Sequence, residues 1–360
     1  MSDGSNIPVQ SGAEAEIAFT RHGSAIDVRL TRPKAMNALT HNMAKALYTG
    51  LHIWAGDNSI SHVIISSDAG EKRAFCAGGD IRDLYDGFKA GTPRHSFFRD
   101  EYRLNEAISA FPKPYIALMD GLVMGGGAGI SMHGSHRIVT EHTKFAMPEV
   151  GIGLIPDVGG SYVLPRLPNH FGLCVGLTGT AIGPEECLEA GVATHFCAEK
   201  ELSGLRQMLL KTNDVEMVLK NLRKQPLQHL FKHNQTEIIE VFSASTLPEI
   251  FKRLAEIAAK NPLLAAALKR MQLASPLSLC LAFEQLKRGK SLSLRKGLIM
   301  EYQLVSRILC RSDLYEGIRA AIIDRSTPPK WQHASIAEVD VAMVASFFNP
   351  PPEGDLTFEA

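Results

Sequence analysis

At 360 residues, with 45% hydrophobic and 21% charged positions, the chain has the composition of a globular enzyme with room for a large core and a second unit. Lysine plus arginine and aspartate plus glutamate stand at 38 each, which excludes a global electrostatic pull toward nucleic acid or a membrane surface and leaves any anionic ligand to a local patch. The six cysteines (Cys76, Cys174, Cys187, Cys197, Cys280, Cys310) are scattered without a CxxC pair, so reduced thiols in a cytoplasmic setting are expected rather than a disulfide framework or a zinc site.

Residues 1–13 read as a disordered leader. The first twenty residues carry acids, no arginine and no basic segment followed by an apolar run, so neither a secretory signal nor a transit peptide is expected. No stretch approaches the roughly 18 apolar residues of a membrane span. From Glu14 to about Ile65 the pattern is strand, strand, helix, strand. Ile26, Val28 and Leu30 alternate as in a half-buried strand, and Thr40 caps a helix carrying Met43, Leu47, Leu51 and Trp54. Val63, Ile64 and Ile65 form a short buried strand. The theme repeats with a helix near 96–110, a strand at Tyr115–Met119, a glycine-rich turn, a helix near 126–134 and a strand beginning at Ile138. Pro184 and Gly191 bracket a short helix in the favoured order. Such alternation predicts an α/β core over residues 14–205.

Residues 206–345 carry successive helical patterns and hardly any strand signal. Ser275-Pro276 supplies an N-cap and a first-turn proline, Gly289 a stop, and a further helix is expected from about Leu292 to Leu309. The proline run Asn349–Pro352 cannot continue regular structure, so residues 346–360 are expected to form a flexible tail.

Residues 145–160, FAMPEVGIGLIPDVGG, set Glu149 and Asp157 among glycine and apolar residues. A carboxylate in such company is costly to bury unless it is paired, hydrogen-bonded or used. The two are therefore candidates for acid–base or nucleophilic work, with a pair of capping or ion-paired acids as the plain alternative. Two strand–glycine turn–helix segments accompany them, FCAGGDI from Phe75 and GLVMGGGAG from Gly121. Their N–H groups suit the oxyanion of a thioester or ester under attack, or serve as phosphate-binding or tight packing turns. Neither has the phase of G-x-G-x-x-G, and Gly289-Lys290-Ser291 lacks the upstream glycine of a P-loop because position 284 is Glu. Ser161 lacks the G-x-S-x-G setting because position 163 is Val. His133, His136 and His142 have no convincing further ligands, so no metal is expected.

Together FCAGGDI, MDGLVMGGGAGI and FAMPEVGIGLIPDVGGSYVLPRL resemble the crotonase (enoyl-CoA hydratase/isomerase) superfamily. With the distal pieces ASPLSL, MEYQLVSRIL and DLYEGIRAAIIDRSTPPKW the resemblance extends over roughly residues 14–335 and points to its 3-hydroxyisobutyryl-CoA hydrolase branch. It implies a crotonase-type spiral of ββα units followed by a helical C-terminal domain. It also implies an oxyanion hole made by the amides of Gly79 and Gly126. Hydratases of the superfamily carry one glutamate two residues after the GGG triplet and a second in the MPE segment; here the first position is Gly129 and only Glu149 remains. Hydrolases of that branch instead place an aspartate in IPDVGG, matching Asp157, and a glutamate in FFRDEY, matching Glu101. The implied substrate-contacting set is Glu101, Gly126, Glu149 and Asp157.

The activity that follows is hydrolysis of the 3-hydroxyisobutyryl-CoA thioester in valine catabolism. Glu149 attacks the carbonyl or activates water, and Asp157 binds the 3-hydroxyl or positions water. The segment RPKAMNAL from Arg32 resembles the stretch that lies along the ADP portion of coenzyme A, so Arg32, Lys34, Ala35 and Ala77 are expected to contact that group, with Lys72 and Arg73 as further candidates. The alternative for Arg32 and Lys34 is a pair of solvated surface cations. No cofactor is expected, since coenzyme A is part of the substrate, and no nucleic-acid or membrane partner. A homo-oligomer stays open: crotonases often form trimers and hexamers, and the long helical region could replace or block those contacts. An enoyl-CoA hydratase or isomerase using Glu149 alone, or a non-catalytic acyl-CoA-binding paralogue, are the competing functions.

Overall fold

The computed structural model describes residues 4–8, 12–225 and 230–358. Its contacts gather into two compact units. The first comprises Met1–Gly79, Arg103–Phe145 and Ile182–Leu230; the second comprises Asp80–Tyr102, Ala146–Ala181 and Phe231–Ala360.

Short aliphatic runs build the sheets of the first unit. Its strands are β1 (Ser5–Ile7), β2 (Ile17–His22), β3 (Ala25–Leu30), β4 (His62–Ser67), β5 (Ala74–Cys76), β6 (Tyr115–Met119), β7 (Leu122–Met124), β8 (His136–Val139), β9 (Lys144–Ala146) and β10 (His195–Phe196). Seven of them form a sheet in the order β1-β2-β3-β4-β6-β8-β10, and β5-β7-β9 form a second. The pairs β1–β2 and β2–β3 are antiparallel, while β3–β4, β4–β6, β6–β8 and β8–β10 are parallel. Each consecutive couple β4–β5, β6–β7 and β8–β9 therefore sends one strand to the large sheet and the next to the small one. This is the expected spiral, written in strand order. Parallel strands covered on both faces must be apolar throughout. Accordingly β6 is buried along its whole length, and β3, expected to be half-buried, exposes Arg29 alone.

Between β3 and β4 runs the helix His41–Gly56. The Thr40 hydroxyl accepts the Met43 N–H at 3.1 Å, and Met43, Leu47, Leu51 and Trp54 are buried on one face. Trp54 meets Phe19 of β2 edge-on at 5.1 Å.

Three expectations for this unit change. Residues 5–7, assigned to a disordered leader, pair with β2 in the register Ser5↔Arg21 to Ile7↔Phe19, because an edge strand offers free N–H and C=O groups to any short extended segment. The helix expected over 126–134 is confined to Gly126–Gly129. Glycines favour helix poorly, and the Ser131 hydroxyl turns back onto the Gly127 carbonyl at 2.7 Å. The expected boundary near residue 205 falls inside the helix Glu199–Leu209, whose Leu205 and Leu209 are buried in one cluster with Ile64, Ile116 and Ile138 of the large sheet. That helix belongs with the sheet, and the first unit extends to Leu230.

Helices dominate the second unit. Several begin with the cap-plus-proline signal: Asn261 accepts the Leu264 N–H at 3.2 Å ahead of Pro262–Leu273, and Ser275 accepts the Ser278 N–H at 3.3 Å ahead of Pro276–Gly289. The helix Leu294–Ile308 follows with Ser293 as cap. Gly289 is more than a stop, since a Cβ there would lie 2.0 Å from the Ser161 carbonyl oxygen. The tail, expected to be flexible, is docked. Phe347 and Leu356 are buried, Gln303 donates to Asp355 at 2.9 Å, and Arg307 donates to the carbonyls of Asn349 and Pro350 at 3.1 Å.

Candidate active site

The acids expected to carry the chemistry lie in the second unit. Glu149 opens the short 3-10 turn Glu149–Ile152 after Pro148. Asp157 begins a tight turn in which its carbonyl accepts the Gly160 N–H at 2.7 Å, Val158 sits at φ 52° and Gly159 at φ 89°. A β-branched residue at positive φ is strained by about 1–3 kcal/mol and persists only where its surroundings over-determine it. Glu101 and Tyr102 come from the helix His95–Ala110.

All three carboxylates are hidden from solvent, Glu101 at 2%, Asp157 at 3% and Glu149 at 5% exposure. The Tyr102 hydroxyl donates to Asp157 Oδ2 at 2.7 Å. Oε1 of Glu101 and Oε2 of Glu149 are buried with no hydrogen-bond partner among the described residues. Such atoms are costly to leave unmet, and both oxygens keep hydrogen-bonding capacity that the fold itself does not use.

Burial sets the proton affinities, and the acids reinforce one another. Burial and then the charges of Asp157, Glu149 and Glu301 hold Glu101 well above the ordinary carboxylate range. Burial and then Asp157 do the same to Glu149. Asp157 is pushed up by burial to about 6, with the Tyr102 hydrogen bond pulling it back. Neighbouring acids in different environments can hold and pass protons near neutral pH, a division of labour that one exposed carboxylate cannot perform.

Two members of this cluster escaped the sequence reading. Glu301, on the helix Leu294–Ile308, is fully buried and accepts the Gly159 N–H and the Ser161 N–H at 2.8 Å each, along with the Ser161 hydroxyl. Its signal was a lone acid on the apolar stripe Leu298, Glu301, Val305, where a solvated glutamate has no place. Tyr102 shares a helix face with Phe98, four residues earlier, and reads as packing until its hydroxyl partner is known.

The expected oxyanion donors lie in the first unit. Gly79 follows Gly78, which sits at φ 120°, and Gly126 opens its short helix after Gly125 at φ 46°. A Cβ on Gly127 would lie 2.1 Å from the Cys76 carbonyl oxygen, so the helix rests on β5 only because no side chain intervenes. Neither the Gly79 nor the Gly126 N–H has a hydrogen-bond acceptor among the described residues. Gly129 is buried in the same helix.

The residues expected to meet coenzyme A lie beside this turn, where the Ala77 N–H donates to the Met36 carbonyl at 3.1 Å and the Leu39 N–H to the Gly78 carbonyl at 2.8 Å. Lys34 is exposed on the turn Pro33–Ala35, and the Ala35 N–H donates to the Arg32 carbonyl at 3.0 Å. Arg32 is instead largely committed to its own loop: Nη1 donates to the Ala38 carbonyl at 2.6 Å, and Nε lies 3.4 Å from Glu16. Arg73 pairs with Asp120 at 3.1 Å and Glu199 at 3.4 Å. Of the histidines weighed as a metal cluster, His136 bonds Glu216 at 2.8 Å.

Residues 26–348 match the family described as enoyl-CoA hydratase/isomerase. This chain belongs to that family. Among its curated family relatives, the Danio rerio protein named 3-hydroxyisobutyryl-CoA hydrolase, mitochondrial, is 41% identical over 97% of this chain and 93% of its own length. The Dictyostelium discoideum protein of the same name is 38% identical over 96% of this chain and 95% of its own. Two solved family structures superpose closely. A carnitinyl-CoA dehydratase from Mycobacterium thermoresistibile has 36% identity and a TM-score of 0.88, covering 96% of this chain and 99% of that one. An enoyl-CoA hydratase from Rhodobacter sphaeroides 2.4.1 has 39% identity and a TM-score of 0.87, covering 95% and 100%. The names thus divide between thioester hydrolysis and addition or removal of water. The curated relatives are named mitochondrial, which lends no support to the cytoplasmic expectation. Among the described residues no helix is long and apolar enough to cross a membrane.

Proposed function

We propose that this chain is an acyl-CoA thioester hydrolase that cleaves 3-hydroxyisobutyryl-CoA to 3-hydroxyisobutyrate and coenzyme A, a step of valine breakdown. The observation that carries the reading is the buried set Glu101, Glu149 and Asp157, with unmet oxygens on two of them, in a chain that has Gly129 where a hydratase needs its other glutamate. The hydrolase names of relatives at 38–41% identity support it.

In this reading Glu149 acts at the thioester carbonyl, as nucleophile or as the base that activates water. The amides of Gly79 and Gly126 take the developing oxyanion, where one such donor is worth about 2.7–4 kcal/mol in the transition state. Asp157, steadied by Tyr102, receives the 3-hydroxyl or holds the water, and Glu101 supports it. Ionised Glu149 is the reactive form on either route, so its raised proton affinity places activity toward the alkaline side of the ordinary carboxylate range. Lys34, Ala35, Ala77 and, after release from Ala38, Arg32 are the groups assigned to coenzyme A. A site that hydrogen-bonds the 3-hydroxyl rejects acyl groups lacking it, because buried acceptors are then left unpaired.

A second reading, hydration of an enoyl-CoA through Glu149, draws its support from the names of the two solved structures. One assay separates the two. The protein is incubated with 3-hydroxyisobutyryl-CoA and with a plain enoyl-CoA while free thiol and enoyl absorbance are followed. Thiol release from the hydroxyacyl substrate, lost by about a hundredfold or more in Glu149→Gln, is the expected result. Loss of the enoyl chromophore without thiol replaces the first reading with the second, and silence in both with tight coenzyme A binding overturns both.

A further inference from the structure

We propose that Glu301 is the positioning residue of the acid site, a buried clamp that fixes the Asp157–Ser161 turn and thereby aims Asp157. The proposal rests on the reading of Asp157 as a functional acid. Each carboxylate oxygen takes one backbone N–H, Gly159 on Oε2 and Ser161 on Oε1, both at 2.8 Å, and the Ser161 hydroxyl joins on Oε1. Those two N–H groups follow Val158, at φ 52°, within the next three residues. Without an acceptor on this side the Gly159 and Ser161 N–H groups are left buried and unmet, and the strained turn loses two of the bonds that hold it.

The helices around the turn are cut to admit the clamp. A Cβ on Gly289 would lie 2.0 Å from the Ser161 carbonyl oxygen, and one on Gly297 3.1 Å from Ser161 Oγ. Gln285 donates to the Pro156 carbonyl at 2.7 Å, just before Asp157. The opposite side of Asp157 is held by Tyr102 at 2.7 Å. The turn is therefore gripped at Pro156, Asp157, Gly159 and Ser161 by side chains from three helices, and Glu301 alone makes more than one of those bonds. The charge of Glu301 raises the proton affinities of Glu101 and Tyr102, and that of Asp157 helps raise Glu301's own. Glu301 touches no reacting atom; it acts through Asp157.

The test uses the full chain carrying Glu301→Gln, which turns one accepting oxygen into an NH2 facing an N–H donor. Leu254→Ala, a truncation in the buried face of the helix Leu247–Ala258, serves as a control for lost stability alone. Amide exchange of Gly159 and Ser161 and the kinetics of 3-hydroxyisobutyryl-CoA hydrolysis are measured. The variant is expected to expose both amides and to lower kcat about a hundredfold, the scale of a misplacement near 1 Å, with KM within about threefold. The control is expected to lower Tm with kcat unchanged. Unprotected Gly159 and Ser161 amides in the unaltered chain overturn the clamp whether or not the variant folds and whatever the substrate proves to be. A folded variant with kcat within about threefold of the unaltered chain overturns the positioning role. Absence of hydrolysis by the unaltered chain, with both amides protected, sinks the function reading and the positioning role while the clamp stands.

Discussion

Gly126–Gly129 and Gly160–Val163 are four-residue helices of the same build. Each follows a glycine at positive φ, Gly125 at 46° and Gly159 at 89°, and each turns N–H groups out of its first residues. They differ in what meets those groups. At Gly159 and Ser161 a carboxylate arrives from about 140 residues further along the chain and takes the donors for the fold itself. At Gly126 no acceptor arrives among the described residues, and the donor stays unmet. The same local element keeps an unmet donor in one unit and is a sealed strut in the other, and a side chain distant in sequence decides which.

Three perturbations bear on that difference, from the largest expected effect down. Gly127→Ala strikes the open turn: its Cβ would lie 2.1 Å from the Cys76 carbonyl oxygen, and backbone on both sides cannot yield cheaply. A stability loss of about 3 kcal/mol or more is expected in urea unfolding. Gly151→Ala, where nothing lies within 4 Å of the new Cβ, is expected to be neutral or stabilising by up to about 1 kcal/mol. Equal effects at the two positions would mean that close contact is not what requires Gly127.

The second perturbation is pH. Asp157, at the head of the sealed turn, is raised from 3.8 to about 6, so the folded chain keeps this proton longer than the unfolded one. Its contribution is present in full below about 3.8 and is lost as pH rises through about 6. Asp157→Asn removes the titration. The stability of the unaltered chain relative to this variant is expected to fall by on the order of 3 kcal/mol between pH 4 and pH 7 in denaturant midpoints. A flat difference would place Asp157 in solvent.

Tyr102→Phe is the mildest. It removes the hydroxyl that donates to Asp157 and costs about 1–2 kcal/mol. Because that bond pulls Asp157 down, its loss shifts the same pH-dependent window upward. A downward move would show that Tyr102 raises the acid instead.

Local signals announced local structure. Thr40, Asn261 and Ser275 cap the helices that follow them, and Tyr115–Met119 is a strand at its expected bounds. Glu149 and Asp157 stood out because charge in apolar company is conspicuous along the chain. What stayed hidden depended on distant partners. The Gly126 helix stops early because Ser131 competes for its carbonyls, and the division into units is discontinuous because segments 80–102 and 146–181 pack with helices far downstream. Glu301 showed only its place on an apolar stripe, and its use as an acceptor emerged once its two N–H partners were in place. Gly289 announced a stop, but its stronger reason is the Ser161 carbonyl lying against it.

Asn37 sits at φ 54° and is fully enclosed. Its side-chain oxygen accepts the Arg32 N–H at 3.0 Å, and its amide donates to the carbonyls of Asp68 and Ala74 at 3.0 Å each. One side chain thus knots the Arg32–Leu39 loop to the ends of β4 and β5. That knot divides the loop into two classes of position for anyone redesigning it. Lys34, exposed on the turn Pro33–Ala35, can be exchanged to probe the coenzyme A contact proposed for it while the loop's shape survives. At Asn37 no other side chain has the same two donors and acceptor in that reach, so drift there would forfeit the loop before it altered any preference.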